Sequence, residues 1–133
     1  MGKLPAITDA EWGVMKVLWD RQGEWLGAAE VIEPVSAERG VHHRTARTLL
    51  ARLVKKGAVE TRVAEAGSGG GYWYRAKVAR EAVVREESKS FLSRVFDGNA
   101  APAVVHFLNE ARQHLSAEEL KELRALLNAK EKA

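Results

Sequence analysis

The stretch that decides the fold is HRTARTLLARLVKKGAVETRV, residues 43–63. Ala46, Leu49, Leu50, Leu53 and Val54 recur at helical spacing and make one broad apolar face. At about 100° per residue, Arg44, Thr48, Ala51 and Lys55 point away from that face. Arg47 and Arg52 flank this outer stripe, and Thr45 lies at its margin. Gly57 stands where a left-handed C-cap is wanted, and Lys55-Lys56 suit the negative end of the helix dipole. Beyond it the period falls to two. Val59, Thr61 and Val63 alternate with Glu60, Arg62 and Ala64, which predicts a half-buried strand.

Downstream, Gly67–Gly71 predicts a flexible turn and Tyr72–Arg75 the return strand of a hairpin. Upstream, Thr8-Asp9-Ala10-Glu11 is a capping box, with Ile7 and Trp12 placed to form a hydrophobic staple. The helix it opens carries Trp12, Met15, Leu18 and Trp19 and should end near Asp20–Gln22. Trp25-Leu26 reads as a short strand or an extended linker, and Ala28 to about Ser36 as a second helix with Pro34 in its last turn. Trp12, Trp19 and Trp25 are expected in the core. Tyr72, Trp73 and Tyr74 are expected to pack on the basic helix, stacking on bases being the other reading.

Three more helices follow. Ala79 to about Phe96 carries Val84, Phe91, Leu92, Val95 and Phe96, and Asp97-Gly98-Asn99 breaks it. Pro102 suits the first turn of the next, which carries Val104, Val105, Phe107 and Leu108. Ser116-Ala117-Glu118-Glu119 is a second capping box, opening a helix with Leu120, Leu123, Leu126 and Leu127, and the polar tail Ala129–Ala133 should fray.

Helix, helix, basic helix and hairpin is the order of a winged helix-turn-helix domain. The expected fold is mostly α with a small β-hairpin wing: a DNA-binding domain over 1–78 and a helical dimerisation region over 79–133. Charge follows that division. Residues 1–78 hold 12 basic and 9 acidic side chains, whereas 79–133 hold 9 of each. Between His42 and Arg62 six cations face the single acid Glu60, an excess that attracts nucleic-acid phosphates. Arg52, Lys55, Lys56, Arg62 and wing Arg75 are the candidate phosphate contacts, a solvated helix face being the plain alternative. Phe91, Leu92, Val95, Phe96, Val104, Val105, Leu108, Leu120, Leu123 and Leu127 are the candidate dimer contacts. Their stripes are too apolar to stay solvated and the segment is too short for a core of its own, so they pair with a second copy or fold back on their own domain.

Composition narrows the function. At 133 residues, 46% apolar and 29% charged, the chain reads as globular, and with no cysteine it cannot hold a disulfide, a thiolate metal site or a cysteine nucleophile. No run approaches the ~18–20 apolar residues of a membrane span, and no signal-peptide core precedes the first charges, so no membrane insertion and a cytoplasmic location are expected. His42 and His43 diverge, His106 and His114 are out of phase, and no catalytic or nucleotide-binding motif occurs. No metal, no cofactor and no enzymatic activity are expected.

Five segments resemble the penicillinase-repressor family: ITDAEWGVMKVLW at 7–19, RTARTLLARLVKKGAVE at 44–60, YWYRAKVAREA at 72–82, SKSFLSRVFDGN at 88–99 and LSAEELKELRALLN at 115–128. The resemblance covers nearly the whole chain. It implies a dimeric winged-helix repressor on double-stranded inverted-repeat operators with TACA/TGTA half-sites. It also implies that Arg44, Thr45, Arg47 and Thr48 face the bases. Relatives in antibiotic-resistance circuits are inactivated by proteolysis in the dimerisation region, triggered by a membrane-bound sensor. Their scissile Asn-Phe pair aligns with His106-Phe107 here. The copper-responsive branch carries a C-terminal cysteine cluster that this chain lacks. The alternative reading is a ligand-sensing regulator released by a small molecule bound among residues 79–128.

Overall fold

A computed structural model describes residues 4–65 and 70–132. Residues 67–69 of the expected glycine-rich turn lie outside the described residues, as does Ala133 at the end of the tail. Helix α1 spans Asp9–Asp20, β1 Leu26–Gly27, α2 Ala28–Arg39, α3 His43–Lys56, β2 Val59–Val63 and β3 Tyr72–Ala76. Then come α4 at Arg80–Phe96, α5 at Ala100–Ala111, a 3-10 turn at Arg112–His114 and α6 at Ala117–Lys132.

The capping box of α1 is formed: the Thr8 backbone N–H donates to Glu11 Oε1 at 3.0 Å, and the Glu11 N–H donates to Thr8 Oγ1 at 3.2 Å. The same box opens α6, where Ser116 and Glu119 exchange bonds of 2.8 and 3.1 Å. Helix α2 is longer than the sequence suggests. Pro34 lies inside it and the helix continues to Arg39, where Gly40 at φ 66° supplies the left-handed stop. Gly40, not Pro34, ends the element. The tail expected to fray also continues as helix to Lys132.

Val14, Met15 and Leu18 of α1, Val31, Ile32 and Val35 of α2, and Ala46, Leu49, Leu50 and Leu53 of α3 form one buried cluster. The Arg39 side chain of α2 lies over Gly13 of α1, where a Cβ would meet Arg39 Nε at 2.5 Å and displace that flexible side chain. The expected hairpin is the larger part of a three-stranded antiparallel sheet of order β1-β3-β2, with Leu26 opposite Tyr74 and Thr61 opposite Tyr74 on the other side. The tryptophans sit at the rim of the core instead of inside it. Trp12 and Trp19 meet edge to face at 5.2 Å, the Trp19 indole N–H donates to Val78 O at 3.0 Å, and Trp25 is half-buried against the sheet.

Val83 of α4 is buried in this same cluster, so the first compact unit extends to Glu87, past the expected boundary at residue 78. The second unit, Ser88–Ala133, holds few buried side chains. Phe91 lies 5.8 Å from Phe96 and 5.6 Å from Phe107, ring to ring, and Ala103 is buried. No helix among the described residues is long and apolar enough to cross a membrane.

Among the described residues of the first unit, one charged side chain is buried. Glu11 is 1% exposed and pairs with the Lys56 ammonium, which also donates to Ala6 O at 2.8 Å. Burial alone would raise the Glu11 carboxyl, but the bond from Lys56 and those from Thr8 outweigh it and hold the group below its ordinary value. Its stabilising contribution is therefore full above the unfolded carboxylate range and is lost as pH falls through the lower folded value. Glu11→Gln should flatten the acid limb of a plot of Tm against pH. Lys56→Met, which strands the carboxylate, should cost about 3 kcal/mol in urea unfolding at pH 7.

Candidate nucleic-acid interface

The apolar back of α3 is fixed in the core, which leaves its other side to solvent. Arg44, Thr45, Arg47, Thr48, Arg52 and Lys55 are all exposed, and α3 contains no acidic residue to offset its cations. Among the described residues none of Arg44, Arg47, Arg52 and Lys55 has a carboxylate partner. A face so built is a rod of uncompensated positive charge, able to meet phosphates and, through Arg forks, base edges. The hydroxyl of exposed Thr48 donates to Arg44 O at 3.1 Å, one turn back.

Both ends of α3 are tied down. At the start, His42 Nδ1 accepts the Arg44 backbone N–H at 3.0 Å, a histidine serving as N-cap. His43 Nε2 lies 3.1 Å from Glu33 Oε1 of α2. At the end, Gly57 adopts φ 85° and ψ 12°, and its N–H reaches back to Val54 O at 3.1 Å. Lys56 does not join the free cations, because its ammonium is turned back to Glu11 and Ala6.

The wing cations are placed differently from α3. Register puts Glu60, Arg62, Trp73 and Arg75 on one face of the hairpin, and Thr61, Tyr72 and Tyr74 on the face toward α2 and α3. On the outer face Arg75 pairs with Glu60, and both guanidiniums lie over the Trp25 ring, Arg75 at 4.3 Å and Arg62 at 4.8 Å. Of the three aromatics expected to pack on the basic helix, Tyr74 packs against the core, Tyr72 is 55% exposed across a cleft from α3, and Trp73 faces the other way.

This geometry, a basic third helix followed by a wing, accompanies a sequence match over almost the entire chain. The model of the family described as "Penicillinase repressor" matches residues 7–129. The chain belongs to the penicillinase repressor family. It is 34% identical to the "Penicillinase repressor" of Bacillus licheniformis, over 96% of this chain and 93% of that protein. It is 31% identical to the "Methicillin resistance regulatory protein MecI" of Mammaliicoccus sciuri, over 93% of this chain and 94% of that protein. Among solved structures it is similar to "Solution structure of the bacillus licheniformis BlaI monomeric form in complex with the blaP half-operator". That match has 33% identity and a TM-score of 0.48, and covers 61% of this chain and 92% of that chain.

In this penicillinase-repressor chain, three features of the interface escape a reading by helical phase alone. The His42 cap has no strong sequence signal, since histidine is outside the usual capping set. The Trp25 stack joins residues far apart in sequence, and only the pairing of β1 with β3 brings them together. The Glu60–Arg75 pair could have been found by aligning the two hairpin strands, had the turn length fixed the register. His42→Ala should destabilise the fold by about 1 kcal/mol, and His42→Asn should restore the loss. Chemical denaturation of the three proteins measures it.

Proposed function

We propose that this chain is a transcriptional repressor that occupies operator DNA as a homodimer. The observation that carries the reading is the exposed, acid-free cationic face of α3, held at fixed orientation by a buried apolar back. Membership of the penicillinase repressor family and a relative named as a penicillinase repressor support the same reading. Arg44, Thr45, Arg47 and Thr48, on the N-terminal half of α3, discriminate bases. Arg52 and Lys55, toward its C-terminal half, contact phosphates. Arg62 and Arg75 serve the duplex from the wing's outer face, and Lys56 takes part only if it leaves Glu11.

Dimerisation falls to the second unit. Val95, Val104, Val105, Phe107 and Leu127 are between 47% and 57% exposed, and Leu126 is 69% exposed, a quantity of apolar surface that favours pairing with a second copy. Phe91, Leu92, Phe96, Leu108 and Leu123 are half-buried, with Phe91 in ring contact with Phe96 and Phe107. Relief by a sensor-triggered protease is the further part of the reading. His106 and Phe107 are exposed, which favours access, and both lie in the middle of α5, so that helix must open before an extended substrate can enter a protease cleft.

Binding of labelled duplexes carrying the chain's own upstream promoter tests the proposal, against random duplex at several salt concentrations. Arg47→Ala should lower the ratio of promoter to random affinity by about 1–3 kcal/mol. Equal weakening on both duplexes would reduce Arg47 to a phosphate contact. Lys55→Ala should reduce the slope of log affinity against log salt by about 0.9. For the second unit, Val105→Glu and Leu127→Glu should shift sedimentation equilibrium from dimer to monomer, and a monomeric parent protein would refute the dimer.

A further inference from the structure

We propose that the cleft between α3 and the wing is a binding site for a small monocarboxylate with a flat apolar body, whose occupancy competes with DNA for Arg47; the competition rests on the reading of α3 as the DNA-facing helix. The cleft has a volume of about 430 Å³, within the roughly 300–1,000 Å³ range of small-molecule sites. One wall is a single stripe of α3, formed by Arg47, Leu50, Ala51 and Val54 at i, i+3, i+4 and i+7. Tyr72 and Tyr74 of β3 make the facing wall. Small Ala51 leaves room where a longer residue would close the gap.

The chemistry of the lining selects the occupant. Among the described residues around the cleft Arg47 alone is charged, and no carboxylate of the described residues neutralises it. A guanidinium presents a planar fork that matches one carboxylate with two parallel bonds. Apart from Thr61, the rest of the wall is aliphatic or phenolic and rewards a flat apolar body. A phosphodiester chain carries a charge at every step and would find one cation and a largely apolar trough. A neutral apolar molecule would leave Arg47 without a counter-charge. One negative charge on an apolar body satisfies both parts of the site, and it holds the same arginine that the base-reading face needs.

The probe is 3-phenylpropionate, with 3-phenylpropanamide as its neutral counterpart, added to the full chain. The acid should shift the methyl NMR signals of Ala28, Ala51 and Val54, and the amide should bind roughly tenfold more weakly, as expected for loss of a charge-assisted bond. In a second arm the acid should release a labelled promoter duplex, while sodium chloride at the same ionic strength should not. Ala28→Leu and, separately, Thr61→Phe fill the cleft from positions outside the proposed DNA contacts. Each should keep duplex binding and abolish the effect of the acid; two substitutions guard against one that fails to fold. Methyl signals unmoved by the acid, or moved equally by the amide, overturn the proposal. So do signals that move with duplex and never with acid, which would make the cleft part of the DNA footprint. A chain that binds no duplex but still answers to the acid overturns the competition and the DNA reading while upholding the carboxylate site.

Discussion

The structure depends on the docking of one side of α3. Ala46, Leu49, Leu50 and Leu53 are each at most 5% exposed and pack with α1 and α2. Burying a leucine side chain is worth about 1.5–3 kcal/mol, so three of them weigh heavily in a domain of this size. The same contact has a second consequence. A helix held by one face cannot rotate, so Arg44, Arg47, Arg52 and Lys55 are fixed toward solvent with no side-chain hydrogen bond among the described residues to hold them there. The uncompensated charge that makes the face useful is sustained by apolar contacts on the opposite side.

Polar contacts set the ends and edges that leucines leave undefined. Glu11 closes the capping box of α1 and receives Lys56 from the last turn of α3, so one carboxylate joins the start of the first helix to the end of the third. His42 secures the other end of α3. On the wing, Trp25 lies beneath Arg62 and Arg75, with Glu60 balancing Arg75, so those guanidiniums are held against the sheet instead of extending freely. The two sets of cations thus differ physically. Arg44, Arg47, Arg52 and Lys55 on α3 have no carboxylate partner among the described residues, whereas Lys56 and the wing cations are already engaged.

The second unit shows what happens when apolar stripes exceed what a short chain can cover. Phe91, Phe96 and Phe107 gather, yet Val104, Val105, Leu126 and Leu127 stay open to water. An exposed apolar surface of this kind is stable in water only at a cost that a partner removes. Helix α4 links the two regimes, since Val83 near its start is a core residue of the first unit and Phe91 belongs to the second.

Local patterns fixed much of this in advance. The capping boxes at Thr8 and Ser116, the stop at Gly57, the apolar phase of α3 and the change to period two at Val59 each depend on neighbours within a few residues, and each was legible for that reason. The end of α2 was not, because Pro34 is a local deterrent that core packing of Val31, Ile32 and Val35 overrides. The packing of Val83 with the first unit, the pairing of Leu26–Gly27 with β3, the turning of Lys56 toward Glu11 and the stacking of Arg62 and Arg75 on Trp25 all join residues distant along the chain. Sequence alone determined which side of α3 would be charged and that the chain would be a winged helix. Only the tertiary structure decided which of its cations remain free, because a counter-charge or an aromatic face reaches a cation through space and leaves no periodic trace in the chain.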